Sequence, residues 1–469
     1  MLNCLNIVIF LYEIFFEKSF HPSIMLKVDK KSIIQIAIPI MLGTFIQNIV
    51  MITDAILVNK LGTVAFDAAN NAGLLYLVFF MLNKGLGDGT QIQIANEFGK
   101  NKPFAINRTL NHSFVIQMTL SIVFIGILFL LIPLFTQNFV ANKPIGEAME
   151  TFLNYRMYGL IFAGIQVSIM SFFIGIGKTK IIIYASLFLA VLNIFLDFGL
   201  IFGRFGLPEM GLAGAALAST ISEAATCLLL FYYLIKSKHL KGFEFTWVKQ
   251  FESSRFKQLI KLSYPLMIGG FLSIAVWFVF FSMIEQGSAF NLEVSHVVRN
   301  LFFISFIPIF GFGATTRTYV SYFHGKKNPI QIKKSIKQML ILSVVFYLLF
   351  FHGAILYPHL LVRLISDNPL VIEKSAEILQ LVFGSMLIFS VVAILYNSVS
   401  ALGKTFHAML IEIVSILIYL IFSYQVILVY QWDIFYIWTV EYIYFLVTGI
   451  LSVIYLWHYY KKMNRYYYE

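Results

Sequence analysis

Apolar runs of about twenty residues, the length needed to cross a bilayer as a helix, recur along the whole chain with short polar stretches between them. They begin near Ile33, Asn71, Phe114, Phe152, Ile181, Gly211, Leu259, Val294, Met339, Val371, Phe406 and Phe435. That spacing predicts about twelve membrane helices. The runs are continuous rather than alternating, which favours helices over a membrane barrel. No stretch is long and polar enough to form a separate soluble domain. The most polar segment, residues 237–258, reads as a cytoplasmic linker. It divides a first lobe (25–236, spans 1–6) from a second (259–460, spans 7–12), with a tail at 461–469. The segment 1–24 is apolar but short for a span. Met25 opens a conventional basic start, so a mis-assigned start is expected there, with an interfacial helix as the alternative.

Composition agrees with this picture. Of 469 residues, 59% are hydrophobic and only 12% charged, and the mean hydropathy is +0.82. A soluble globule carries about twice that charge. The two cysteines, Cys4 and Cys227, exclude a disulfide framework. The net charge of +11 comes from lysines and arginines gathered in alternate loops, such as Lys100–Arg108, Lys236–Lys261 and Lys326–Lys337. By the positive-inside rule this places both termini in the cytoplasm and makes nucleic-acid binding unnecessary as an explanation. An inner (plasma) membrane location follows.

The two lobes are copies. Pro39 in Ile-Pro-Ile-Met-Leu-Gly matches Pro265 in Tyr-Pro-Leu-Met-Ile-Gly, an offset of 265 − 39 = 226. The same offset relates Gly43 to Gly269, Gly85 to Gly311, Gly99 to Gly325, and Gly177-Lys178-Thr179 to Gly403-Lys404-Thr405. Six helices per copy is an even number, so the repeats are parallel. Their pseudo-two-fold axis runs along the membrane normal, as in secondary transporters with a site between the halves. The Gly-Lys-Thr triplets lack the earlier glycine of a phosphate loop, which would fall at Phe172 and Ser398. No nucleotide site, catalytic group or cofactor is expected, and the chain is not read as an enzyme.

Ionisable residues inside spans are the candidate chemistry. Asp54 lies in span 1 with Gln47 two turns before it, and Asp197 lies in span 5 with Asn193 one turn before it. At the offset, Asp54, Asn193 and Asp197 become Phe280, Tyr419 and Ser423. The scaffold was duplicated but these acids were not, which predicts one cation site in the first lobe. A carboxyl group removed from water holds its proton more tightly, and carboxylate and amide oxygens also suit Na⁺. The coupling ion is therefore H⁺ or Na⁺, with Asp54, Asp197 and Asn193 as candidate Na⁺ ligands. Glu223, Glu412, Arg156, Arg299 and Arg317 are weaker candidates for lining a cavity. Lys84 and Asp88, four apart, are expected to pair.

The chain resembles the multidrug and toxic compound extrusion family. The resemblance rests on Ile-Pro-x-x-x-Gly entering span 1, Thr53-Asp54 followed by Leu61-Gly62, Asn193-x-x-x-Asp197, Gly211-Leu-Ala-Gly-Ala-Ala-Leu-Ala-Ser219, and Gly-x-Gly-Lys-Thr after spans 4 and 10. It implies an all-α membrane protein with two six-helix lobes in a V. It also implies a cation-driven antiporter that exports amphipathic organic cations, working as a monomer on small molecules in a bilayer. Within the branch it looks most similar to, the first-lobe cation site uses positions matching Gln47, Asp54, Asn193 and Asp197, with Ser219 at a threonine position. Another branch carries acids in spans 7 and 10. The stretches around Ser273 and Ser390 have none, so no second-lobe Na⁺ site is expected. The competing reading within the same superfamily is a lipid-linked oligosaccharide flippase, whose cavity would need free Arg and Lys for phosphate. A third reading is a scaffold or receptor without transport.

Overall fold

The computed structural model describes residues 26–140, 142–236, 243–247 and 251–468. The questions raised by residues 1–24 lie outside that range. The described chain is helical with no strand. The first lobe holds α1 (Lys30–Asn59), α2 (Thr63–Gly99), α3 (Pro103–Phe139), α4 (Lys143–Arg156), α5 (Gly159–Gly175), α6 (Lys180–Phe202) and α7 (Gly211–Lys236). The second holds α8 (Ser253–Gly287), α9 (Ala289–Gly325), α10 (Pro329–Phe351), α11 (Gly353–Leu356), α12 (Pro358–Arg363), α13 (Pro369–Ala401), α14 (Thr405–Tyr424), α15 (Ile434–Ile437) and α16 (Val440–Tyr468). Among the described residues 11 helices are long and apolar enough to span a membrane, and α4 with α5, bent by 48°, brings the number to 12. That bent pair is the span expected from Phe152.

The repeat explains how the lobes meet. Interior glycines let membrane helices approach closely. A Cβ on Gly85 would lie 2.5 Å from the Met267 backbone, and one on Gly311 would collide with the Met41 side chain. Gly85 and Gly311 are partners in the repeat, and so are Met41 and Met267. Gly99 packs on the Tyr322 carbonyl and Gly325 on the Asn96 carbonyl, again related by 226. The contacts therefore occur twice about one pseudo-two-fold axis. The Gly-Lys-Thr motifs resolve as turns: Gly177 and Gly403 have φ of 73° and 74°, a region in which glycine has no Cβ clash.

These contacts all lie toward the end that carries the linker. There, one apolar core draws on both lobes, with Ile33, Ile94, Phe172, Phe312, Tyr319 and Ile394 in one cluster. Toward the other end the cores separate: Phe124, Leu128 and Leu153 belong to the first lobe alone, and Phe280, Phe302 and Trp438 to the second alone. The lobes thus join at one end and diverge at the other.

The linker is docked rather than free. Phe243 stacks on Phe172 at 4.8 Å, and Asn107 and Asn111 donate to the Thr246 carbonyl at 2.9 and 3.0 Å. Helix α8 opens at Ser253, ahead of residue 259, and α16 continues through the expected tail to Tyr468.

Candidate functional site

Helix register builds the first-lobe site. Helices α1 and α6 run the same way, and Gly43 lets them touch, its Cβ position lying 3.2 Å from the Ser186 hydroxyl. Eleven residues further along each helix, about three turns, stand Asp54 and Asp197. The same faces still meet there, and the two carboxyl groups lie within hydrogen-bonding range of each other. Asp197 is 0% exposed and Asn193 1%. Asn193 Nδ2 donates to the Ser219 hydroxyl at 3.4 Å, which ties α6 to α7. Asp54 Oδ1, both Asp197 oxygens and Asn193 Oδ1 are buried without a protein hydrogen-bond partner. Two carboxylates this close repel unless a proton or a cation lies between them, and the unpartnered oxygens suit either.

Gln47 is exposed on α1, outside this buried cluster. Among the described residues no group of three or more His, Cys, Asp or Glu side chains gathers.

Beside the acids lies a pair that the sequence left apart. Arg156, at the end of α4 where the span bends, forms a two-pronged ion pair with Glu223 of α7 at 2.8 and 2.5 Å. Its guanidinium lies 3.9 Å over the Tyr76 ring. Both charges act on Asp54. The 67 residues between Arg156 and Glu223 give no periodic signal that would have joined them.

At the matching place in the second lobe, Phe280 packs on Tyr419 at 5.7 Å, and no acid occupies the matched positions. Yet this lobe buries two carboxylates elsewhere. Tyr419 donates to Glu441 at 3.1 Å. Glu412 accepts from Ser273 at 2.8 Å and from Tyr444 at 2.5 Å. The expectation that no acid stands near Ser273 is thus corrected: α14 supplies one across the helix interface, where a scan along α8 could not show it.

Lys84 and Asp88 pair at 3.0 Å as expected, but Asp88 also binds Arg317 of the other lobe at 2.8 Å. Arg317 further donates to Asn397 at 2.5 Å and to Gln91, its own repeat partner, at 3.3 Å.

Comparison with known proteins supplies the family. A probable multidrug resistance protein NorM of Thermotoga maritima is 24% identical over 395 residues, covering 82% of this chain and 83% of its own. A MOP-superfamily transporter from Pyrococcus furiosus, described as having a binding pocket of reversed polarity, superposes with a TM-score of 0.86 at 18% identity, over 93% of this chain and 96% of its own. An outward-facing multidrug resistance MATE transporter superposes at 0.84 with 17% identity, over 92% and 96%. At those identities the structural likeness shows the two-lobe fold alone. The MatE family model matches residues 39–198 and 265–425, one stretch in each lobe and together more than half the chain. This multi-pass membrane protein is therefore a transporter, not an enzyme, and it belongs to the MatE family.

Proposed function

We propose that the chain is a secondary antiporter of the inner membrane, with both termini cytoplasmic. It exports amphipathic organic cations in exchange for H⁺ or Na⁺. The Asp54–Asp197 pair, whose facing oxygens have no protein donor, carries this reading. A proton or Na⁺ there neutralises the pair, with Asn193 as a further oxygen ligand and Ser219 holding the amide in place. Its loss restores a negative site that can receive a cationic substrate. Alternation between the two occupants couples their fluxes. Residues 25–236 and 259–460 act as the two rocking bodies, joined where the glycine crossings lie. The chain works as a monomer, since each copy holds both lobes.

The flippase reading is weaker because Arg156 and Arg317 are neutralised within the protein. The test is purified protein in proteoliposomes, with ethidium flux driven by a H⁺ or a Na⁺ gradient alone. Flux driven by one gradient and lost in Asp54→Asn and Asp197→Asn, with both variants still folded, supports the proposal. Full coupling in Asp197→Asn sinks it.

A further inference from the structure

Three arginines lie inside spans, and two are spoken for. Arg156 binds Glu223, and Arg317 binds Asp88. Arg299 on α9 forms no ion pair or hydrogen bond among the described residues, and its Nε is buried without a partner. An unpaired guanidinium within a membrane helix is costly and points to a ligand or a lining role.

Helix geometry shows where it faces. Arg317 and Arg299 are 18 residues apart, five turns at 3.6 residues per turn, so they share a face of α9. At Arg317 that face meets the first lobe. About 27 Å along the axis, at Arg299, the lobes have separate cores. The repeat partner of Arg299 is Gly73, where a Cβ would meet nothing within 4 Å. Arg299 therefore belongs to the second lobe's wall of the space between the lobes.

The neighbours on α8 obey the same register. Ser263 packs on Gly89 of the first lobe, and Phe281 is 18 residues, again five turns, beyond it. The Arg299 guanidinium lies 4.8 Å over the Phe281 ring. His296 stacks on the same ring at 5.6 Å with an interplanar angle of 9°, and its Nδ1 is also buried and unpartnered. Glu285 is within electrostatic reach of His296 but within 4.0 Å of no cation in the described ion pairs. The ring holds guanidinium and imidazole side by side, with free donors on both. The first lobe's wall, by contrast, carries Asp54 and Asp197.

We propose that Arg299, held by Phe281 and with His296 beside it, is a subsite for the anionic group, a carboxylate or phosphate, of an amphipathic molecule bound between the lobes. The inference rests on the transport reading and sharpens its substrate class. A molecule with a cationic end toward Asp54–Asp197 and an acidic end toward Arg299 satisfies both walls.

The test uses rhodamine B, which carries a free carboxylate beside its cationic ring system, and its ethyl ester, in which that carboxylate is masked. Binding of each dye to the full-length protein in nanodiscs is followed by fluorescence polarisation, without any ion gradient. The wild type should bind the acid more tightly than the ester. Arg299→Gln should weaken the acid about tenfold or more, the worth of one charge-assisted hydrogen bond. It should leave the ester unchanged, and Arg299→Lys should recover part of the loss. No preference in the wild type, or equal weakening of both dyes by Arg299→Gln, overturns the proposal. So does a variant that changes retention of anionic lipid while dye binding stays as it was, since that outcome assigns the guanidinium to bilayer headgroups. Failure here leaves gradient-driven flux and its loss in Asp197→Asn untouched, so the two readings fail separately.

Discussion

Replacing Arg317 with Met should loosen the joined end of the two lobes. The side chain is 12% exposed and its partner Asp88 23%, so solvent screens the pair only in part. The substitution removes the 2.8 Å bond to Asp88 and the bonds to Asn397 and Gln91. Asp88 keeps Lys84 at 3.0 Å, so no carboxylate is stranded. Hydrogen bonds to charged groups are worth about 1.5–3 kcal/mol each, and taking about 2 kcal/mol for the whole bridge shifts the balance between joined and parted lobes about 30-fold. Phe104 and Ile330, repeat partners at this end, are 79% and 70% exposed. Spin labels on cysteines at those two sites, with Cys4 and Cys227 replaced by Ser, report the separation by double electron–electron resonance. Arg317→Met should raise the population with the longer distance, and Asp88→Asn added to it should have less than its separate effect, because both act on one bridge. An unchanged distance distribution would show that the glycine crossings alone hold this end, and the reasoning would fail.

Other perturbations probe different levels. Gly325→Leu drives a side chain into the Asn96 carbonyl and should part the same end more strongly than Arg317→Met in the same distance measurement. Glu412→Leu strips the acceptor from Ser273 and Tyr444. The stranded donors should cost about 1–3 kcal/mol, read as a lower melting temperature in detergent, with cation-coupled flux retained if the first-lobe pair carries the coupling. Asp197→Asn should remove dependence of ethidium flux on the ion gradient while leaving the melting temperature near the wild-type value. Asp29 caps α1 by accepting from the Ser32 N–H at 2.9 Å and its hydroxyl at 2.8 Å, bonds that hold its carboxyl below the usual carboxylate range. Its folded-state value is depressed, so the cap is complete above the unfolded value of about 4 and is lost as pH falls through the lower folded value. Protection of the Ser32 amide from hydrogen exchange should fall over that window, and Asp29→Ala, about 1 kcal/mol weaker at the cap, should remove the pH dependence.

Much of this protein is written in one dimension. Apolar run length fixes the membrane helices, because a bilayer must be crossed by segments that satisfy their own backbone. The 226-residue offset fixes the parallel repeat, and an acid inside an apolar run marks Asp54 and Asp197 as costly wherever the helices go. Their approach was half legible: glycine contact at Gly43 and Ser186 sets the register, but only packing shows that the same faces still meet three turns on. The rest needed the third dimension. Arg156 finds Glu223, Arg317 finds Asp88, and Glu412 finds Ser273 across intervals that carry no periodicity. The bend at Arg156 and the exposure of Gln47 likewise come from helix packing. Sequence determined which charges enter the membrane, because transfer cost attaches to each residue singly. Only the tertiary structure decided which of them are neutralised and which, like Arg299, stand unpaired, because neutralisation belongs to pairs of side chains brought together by the fold.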